Sequence, residues 1–158
     1  MVADAIGATV ASDMALRPAT LDDVDEIAAL IRELAEYEKA PEAVEFDVET
    51  LAEHLFGDDP AAHVVLAVDD DTDAVAGFAL YFRTFSTWLG RPGIWLEDLF
   101  VRPSHRGRGH GAALLMHLRS LTDDRIEWAV LDWNQPAIDF YESLGARPVA
   151  GWTRYRWT

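Results

Sequence analysis

Apolar residues first recur at helical spacing just after Thr20 and Asp23, a pair that resembles a helix cap with an acid in the first turn. This pattern predicts an amphipathic helix that ends near Lys39. Its apolar positions are Val24, Ile27, Ile31, Leu34 and Ala35. A second, shorter helix is expected over residues 47–56, with Gly57 as its terminator. Two further helical stretches are expected over 112–121 and 136–144.

Short apolar runs bounded by turn residues predict the strands. We expect strands over residues 63–68, 74–85, 94–101, 126–131 and 152–157. The acidic run 69–73 would be the turn of a hairpin, and 88–92 the outer loop that follows it. Helices thus precede, interrupt and follow the strands, which indicates a mixed α/β or α+β layered domain.

The length of the chain suits one globular domain. It has 158 residues, half of them hydrophobic, and no cysteine, so thiolate zinc sites, disulfides and cysteine nucleophiles are excluded. We expect residues 1–14 to be a flexible tail, with Met14 as an alternative start, and residues 15–158 to form the single domain. The first residues do not resemble a secretory signal, and no apolar run is long enough for a membrane span, so a cytoplasmic location is expected.

Acidic residues dominate the charge. There are 28 Asp and Glu against 13 Lys and Arg, a formal net charge of −15. Such a surface repels nucleic acid and anionic lipid and attracts cations, which makes a small amine a suitable partner. Lys39 is the one lysine. This composition is typical of proteins from salt-loving microbes, and we therefore expect a halophilic protein.

The strand over 94–101 runs into a loop rich in glycine and arginine, which precedes a helix. The loop contains Arg102, Arg106, Gly107, Arg108, Gly109 and Gly111. Glycines allow sharp turns that expose N–H groups at a helix N-terminus, so the segment predicts a diphosphate site. Its spacing fits neither a nucleotide P-loop nor the dinucleotide fingerprint, and a glycine-rich helix cap is the structural alternative.

Two adjacent acids, Glu97 and Asp98, interrupt the same apolar strand. Neighbouring strand residues point to opposite faces, so both cannot be satisfied in the same way, and acids in a central strand are costly unless they are paired or functional. His105 and His110 flank the loop, but their spacing does not indicate a metal site, and we expect none.

Two motifs together resemble a known family. Arg106-x-x-Gly109-x-Gly111 after an apolar strand is similar to the acyl-CoA pyrophosphate loop of the GNAT superfamily of N-acetyltransferases. The segment from Asn134 through Tyr141 to Gly145 is similar to the later motif of that superfamily. Segments 30–38, 77–79, 95–101 and 133–134 resemble the branch of diamine (spermidine/spermine) and thialysine acetyltransferases, and the likeness covers about residues 16–152.

The resemblance implies a mainly antiparallel, mixed sheet of six to seven strands with about four helices. It also implies an enzyme that moves an acetyl group from acetyl-CoA to a primary amine of a diamine, polyamine or thialysine-like amino acid by direct attack, and that forms a homodimer. Glu97, directly or through water, would accept the proton of the amine, and Tyr141 would protonate the leaving thiolate. The cofactor would be held by Leu99, Phe100, Val101, Arg106, Gly107, Arg108, Gly109, His110, Gly111, Asn134 and Tyr141. The amine would be seated by Tyr37, Glu38, Trp88, Glu97 and Asp98.

Other interpretations remain open at this point. Tyr141 has the spacing of a core tyrosine, and Asn134 suits a turn before Pro136. A silent acyl-CoA-binding domain and a protein or peptide N-acetyltransferase are the alternative functions. In the animal diamine enzymes an aspartate stands two places before the loop tryptophan, where this chain has Ser86 before Trp88.

Overall fold

The structure, a computed structural model, describes residues 14–158. The expected tail therefore lies outside the described residues, apart from Met14, which begins the first strand. The chain divides into two compact units, one ending at Trp128 and one running from Ala129 to Thr158. Within residues 14–158, the first unit contains the sheet and three α-helices, and the second contains one α-helix.

The sheet of the first unit has five strands in sequential order. They are β1 (Met14–Pro18), β2 (His63–Asp69), β3 (Val75–Ser86), β4 (Arg91–Val101) and β5 (Ile126–Glu127). The pairs β1–β2, β2–β3 and β3–β4 are antiparallel, and β4–β5 is parallel. β2 is buried along almost its whole length, as expected of a Val-rich strand with layers on both faces.

The helices begin where the sequence provides caps. The three of the first unit are α1 (Val24–Tyr37), α2 (Val48–Phe56) and α3 (His110–Ser120), and that of the second is α4 (Gln135–Ser143). Thr20 and Asp23 form a reciprocal capping box in the turn that leads into α1. Asp47 caps α2 by accepting from Thr50 N–H at 2.7 Å.

Helices cover both faces of the sheet. Ile27 and Leu30 of α1 join Leu55 of α2 in one buried cluster with Phe78 and Phe100 of β3 and β4. α3 packs against β2, β3 and β4 and buries its leucines at positions 114 and 118 completely. Side chains of a strand alternate between the two faces of the sheet. The helices therefore bury β3 and β4 from both sides, and the glycine-rich loop begins where β4 ends.

A bulge in β4 changes which side chains share a face. Leu80 pairs with Asp98, but the next residue, Tyr81, pairs with Leu96, so Glu97 is the additional residue. Leu80 belongs to the cluster under α1 and α2. Asp98, directly opposite, lies on that same face, whereas Leu96 lies on the other.

The predicted mixed, mainly antiparallel sheet with four helices is confirmed, but the predicted six to seven strands exceed the five found in the described part of the chain. β1 was not predicted as a strand, and β5 is shorter than the predicted 126–131. Residues 152–157 form no strand. A strand needs a partner for its backbone hydrogen bonds, and the second unit, described over its full length, contains no other strand to provide one.

Candidate active site

The loop between β4 and α3 has the conformation that its glycines predict. Gly107 and Gly109 have φ of 75° and 91°, a region that residues with a Cβ rarely adopt, and Gly109 is the N-cap of α3. Gly111 lies within the first turn of the helix. The first intrahelical bond runs from Ala113 N–H to Gly109 O at 2.9 Å. The amides of residues 110–112 therefore lack helical partners and form an anion-attracting helix end.

The side chain of Arg106 extends from the loop towards the end of α1. Its Nε donates to Val101 O at 2.9 Å, and its guanidinium carbon lies 5.0 Å from the centroid of the Tyr37 ring and 5.7 Å from that of Phe100. Stacking on aromatic faces holds a guanidinium in a fixed plane with its donors at the edge. The structure therefore places Tyr37, a predicted amine contact, against a predicted phosphate contact.

The other two arginines are engaged by carboxylates. Arg102 bonds Glu26 at 2.6 Å and Glu33 at 2.8 Å, which joins the end of β4 to α1. Arg108 forms a close ion pair with Asp69. Arg102 is thus a structural residue, and the guanidinium of Arg108 is directed at the end of β2.

One edge of β4 is not covered by β5, which pairs with it only at residues 94–95. Phe100 O points towards β3, since an ideal Cβ on Gly77 would lie 2.3 Å from it. Backbone groups of successive strand residues point in opposite directions. Leu99 therefore presents its N–H and C=O groups to the uncovered edge, and Val101 presents its N–H there, while Val101 O accepts from Arg106 Nε. These groups suit an extended ligand arm that carries amides.

Acidic side chains form a second cluster beside the bulge. Glu97 is exposed and accepts from Trp95 Nε1 at 2.7 Å. Asp98 is half-buried, and burial, followed by the charges of Glu97 and Glu38, raises its pKa to about 7. Glu38 follows the last residue of α1, and burial also raises the pKa of its carboxyl. A cation placed among these acids would be stabilised by all three.

Trp88 lies far from this acidic cluster along the strand. It is 89% exposed in the turn between β3 and β4. Six residues of extended chain, about 20 Å, separate the start of β4 from Glu97.

The second unit contains the two remaining predicted residues. Asn134 is buried and is the N-cap of α4, where its side chain accepts from Ala137 N–H at 3.4 Å. Tyr141 lies on α4, half-buried, with its ring centroid 5.3 Å from that of Phe140. Gly145 follows the helix with a φ of 92°. The motif thus builds a capped helix that presents a tyrosine.

The sequence did not single out Asp69, which was assigned to the hairpin turn over residues 69–73. Asp69 is 1% exposed and accepts hydrogen bonds from the Thr72 backbone and side chain. The signal was present as an Asp followed three residues later by Thr, a pattern typical of a side-chain-to-backbone turn.

Among residues 14–158, no group of three metal-binding side chains is arranged around a common point. In the same range, no helix has the length and apolar character of a membrane span.

Residues 26–146 match the model of the acetyltransferase (GNAT) family. The chain belongs to the GNAT family. Thialysine N-epsilon-acetyltransferase of Sus scrofa is 36% identical over 154 residues, covering 89% of this chain and 90% of the relative. Spermidine/spermine N(1)-acetyltransferase-like protein 1 of Homo sapiens is 32% identical over 153 residues, covering 89% of this chain and 22% of the relative. An integron cassette protein of V. cholerae has a similar structure, with a TM-score of 0.76, 28% identity and coverage of 92% of this chain and 93% of the other.

Membership of the GNAT family confirms the predicted enzyme class. The protein is an acetyl-CoA-dependent N-acetyltransferase that acts on amines. The loop fits the cofactor on its own chemistry, because partnerless amides at the start of α3 and the guanidinium of Arg106 form a donor set for a diphosphate.

Proposed function

We propose that this GNAT enzyme acetylates a primary amine of a small cationic molecule, namely a diamine, a polyamine or a thialysine-like amino acid. The observation that carries the proposal is the acidic cluster of Glu38, Glu97 and Asp98, where burial and mutual repulsion raise the pKa of Asp98 to about 7. A cation relieves that repulsion. The names of the relatives, which refer to thialysine and to spermidine or spermine, support the same class.

The acceptor amine must lose a proton before it attacks. An alkyl ammonium with a pKa near 10 is only about one part in a thousand neutral at pH 7. A carboxylate with a pKa near the working pH is an effective general base. The family resemblance implies that Glu97 is this base. The raised pKa of Asp98 favours instead an adjacent pair, in which Asp98 accepts the proton and Glu97, exposed beside it, passes it to water.

The remaining roles follow the two motifs. Arg106 and the backbone of residues 107–111, including Arg108 and His110, hold the diphosphate, and Leu99 to Val101 pair with the pantetheine arm. Acetyl-CoA supplies the thioester that the amine attacks directly. Asn134 orients the cofactor arm, and Tyr141 donates a proton to the departing thiolate. Tyr37 contributes an aromatic face for the cation.

The proposal extends to partners and location. A net charge of −15 disfavours nucleic acid and anionic membranes as partners. We propose a homodimer in the cytoplasm, on the resemblance to the diamine and thialysine branch.

The test is steady-state release of CoA with a panel of acceptors. The panel contains diamines, polyamines, thialysine, a neutral hydroxy-amine, and a peptide with a free N-terminus. We expect the highest kcat/KM for the small amines that carry a second positive charge. A preference for the peptide would contradict the proposal and favour a protein N-acetyltransferase.

The same assay tests whether Tyr141 is the general acid. Tyr141→Phe is expected to lower kcat by about 10² to 10⁴ with the best amine, the usual range for loss of a general acid. Tyr155→Phe, which removes a hydroxyl from an exposed tyrosine in the same unit, is the matched control and should leave kcat unchanged. Full kcat in Tyr141→Phe would overturn this assignment.

A further inference from the structure

We propose that Asp69 is a positioning residue of the cofactor loop: its carboxylate holds the guanidinium of Arg108 and thereby fixes the backbone between Gly107 and Gly109 in the form that binds the diphosphate. The inference rests on the proposed role of this loop. It adds a residue outside both family motifs, at the end of a different strand.

Asp69 is a buried carboxylate whose charge is paired with that of Arg108. It ends β2 and is 1% exposed. Burial acts to raise its pKa, but the Thr72 hydrogen bond and the charge of Arg108 act against this, and the net result is a lowered pKa. A buried charge persists in a fold only when it is paired and hydrogen-bonded, so the Arg108 contact is an integral part of the structure.

The two carboxylate oxygens have different partners. Oδ1 accepts from Asp71 N–H at 3.1 Å, Thr72 N–H at 3.2 Å and Thr72 Oγ1 at 3.1 Å, which builds the turn between β2 and β3. Oδ2 accepts from Arg108 Nη1 and lies 3.9 Å from His105 Nε2. One side chain therefore joins the β2–β3 turn to the loop, through its contact with Arg108.

Arg108 is the point at which the loop most needs an anchor. It lies between two glycines with positive φ, and glycine loses more conformational freedom on ordering than any other residue. An ion pair at the intervening residue orders this stretch before the ligand arrives. Binding then costs less entropy, which is the general benefit of preorganisation.

Asp69→Asn separates the two functions of the carboxylate. The amide oxygen can still accept the three turn hydrogen bonds, whereas the amide nitrogen in place of Oδ2 cannot accept from Arg108. We expect the Kd for CoA and the KM for acetyl-CoA to rise about tenfold, with kcat and the KM of the amine within about twofold of wild type. Arg108→Gln should give the same pattern.

A double-mutant cycle tests whether Asp69 acts through Arg108. If it does, Asp69→Asn/Arg108→Gln will be no worse than the more impaired single variant. Additive losses would overturn the proposal. Tighter CoA binding by Asp69→Asn would also overturn it, because Asp69 would then act only as a charge that repels phosphate.

Two controls address a purely structural role. Thr72→Val removes a turn hydrogen bond and should lower the melting temperature while leaving the Kd for CoA unchanged. Asp71→Asn changes an exposed acid 3.6 Å from Arg108 and should have little effect on either measurement. If Thr72→Val raised the Kd as much as Asp69→Asn, the inference would fail. A wrong proposal for the function of the loop would give a different result from a wrong proposal for Asp69, because wild type itself would then not bind CoA.

Discussion

The environment of Asp98 differs from that of an ordinary surface acid. Its pKa rises from 3.8 to about 7 because the carboxyl is buried and because Glu97 and Glu38 repel its charge. Its deprotonated form is the base, so activity that depends on it increases as the pH rises through that pKa. A bound ammonium would lower the pKa and hold the carboxylate ready.

We predict an ascending limb near pH 7 in the profile of kcat/KM for the amine, measured between pH 5 and 9 at saturating acetyl-CoA. Asp98→Asn should remove this limb along with most of the activity. Glu97→Gln should shift it towards lower pH, because the charge of Glu97 raises the pKa of Asp98. Glu36→Gln, at an exposed position on α1, is the control and should leave the limb in place. A limb that survives in Asp98→Asn would show that another group is the base.

At the scale of elements, local signals in the sequence were sufficient for the helices and for the loop. The apolar spacing and the Thr20–Asp23 box predicted α1, and the need for positive φ predicted a tight turn at Gly107 and Gly109. These features depend on nearby residues alone, which is why a single sequence contains them.

Features that depend on a partner strand were not predictable in this way. The bulge at Glu97 arises from the register between β3 and β4, and it places Asp98 on the face of Leu80. The aromatic segment 152–157 has the composition of a strand, yet it forms none, since strand formation requires a neighbour to pair with. The role of Asp69 likewise depends on a distant residue, because its carboxylate pairs with Arg108, which lies far from it along the chain.

For the whole molecule, the excess of acids is the dominant electrostatic feature. Arginines at positions 17, 91, 102, 108 and 125 are already paired with acids in the structure, so the 28 acids leave a large unpaired negative charge. Like charges on one surface destabilise the compact state, and salt screens them.

We predict that the melting temperature rises as KCl is increased from 0.1 to 2 M, because the Debye length falls from about 10 Å at the lower concentration to about 3 Å at 1 M. Thermal unfolding followed by circular dichroism gives the measurement. Sucrose at matched osmolality separates charge screening from general exclusion. A melting temperature that falls with KCl would contradict the expectation of a halophilic protein.

The central claim is that the loop between β4 and α3 binds the diphosphate of acetyl-CoA. Calorimetric titration of wild type and Arg106→Ala, with CoA and with a pantetheine fragment that lacks the phosphates, tests it most directly. The account predicts that wild type binds CoA and that Arg106→Ala weakens CoA binding at least tenfold, about 1.4 kcal/mol, while the affinity for the fragment stays the same. Equal losses for both ligands, or no uptake of CoA by folded wild-type protein, would contradict it.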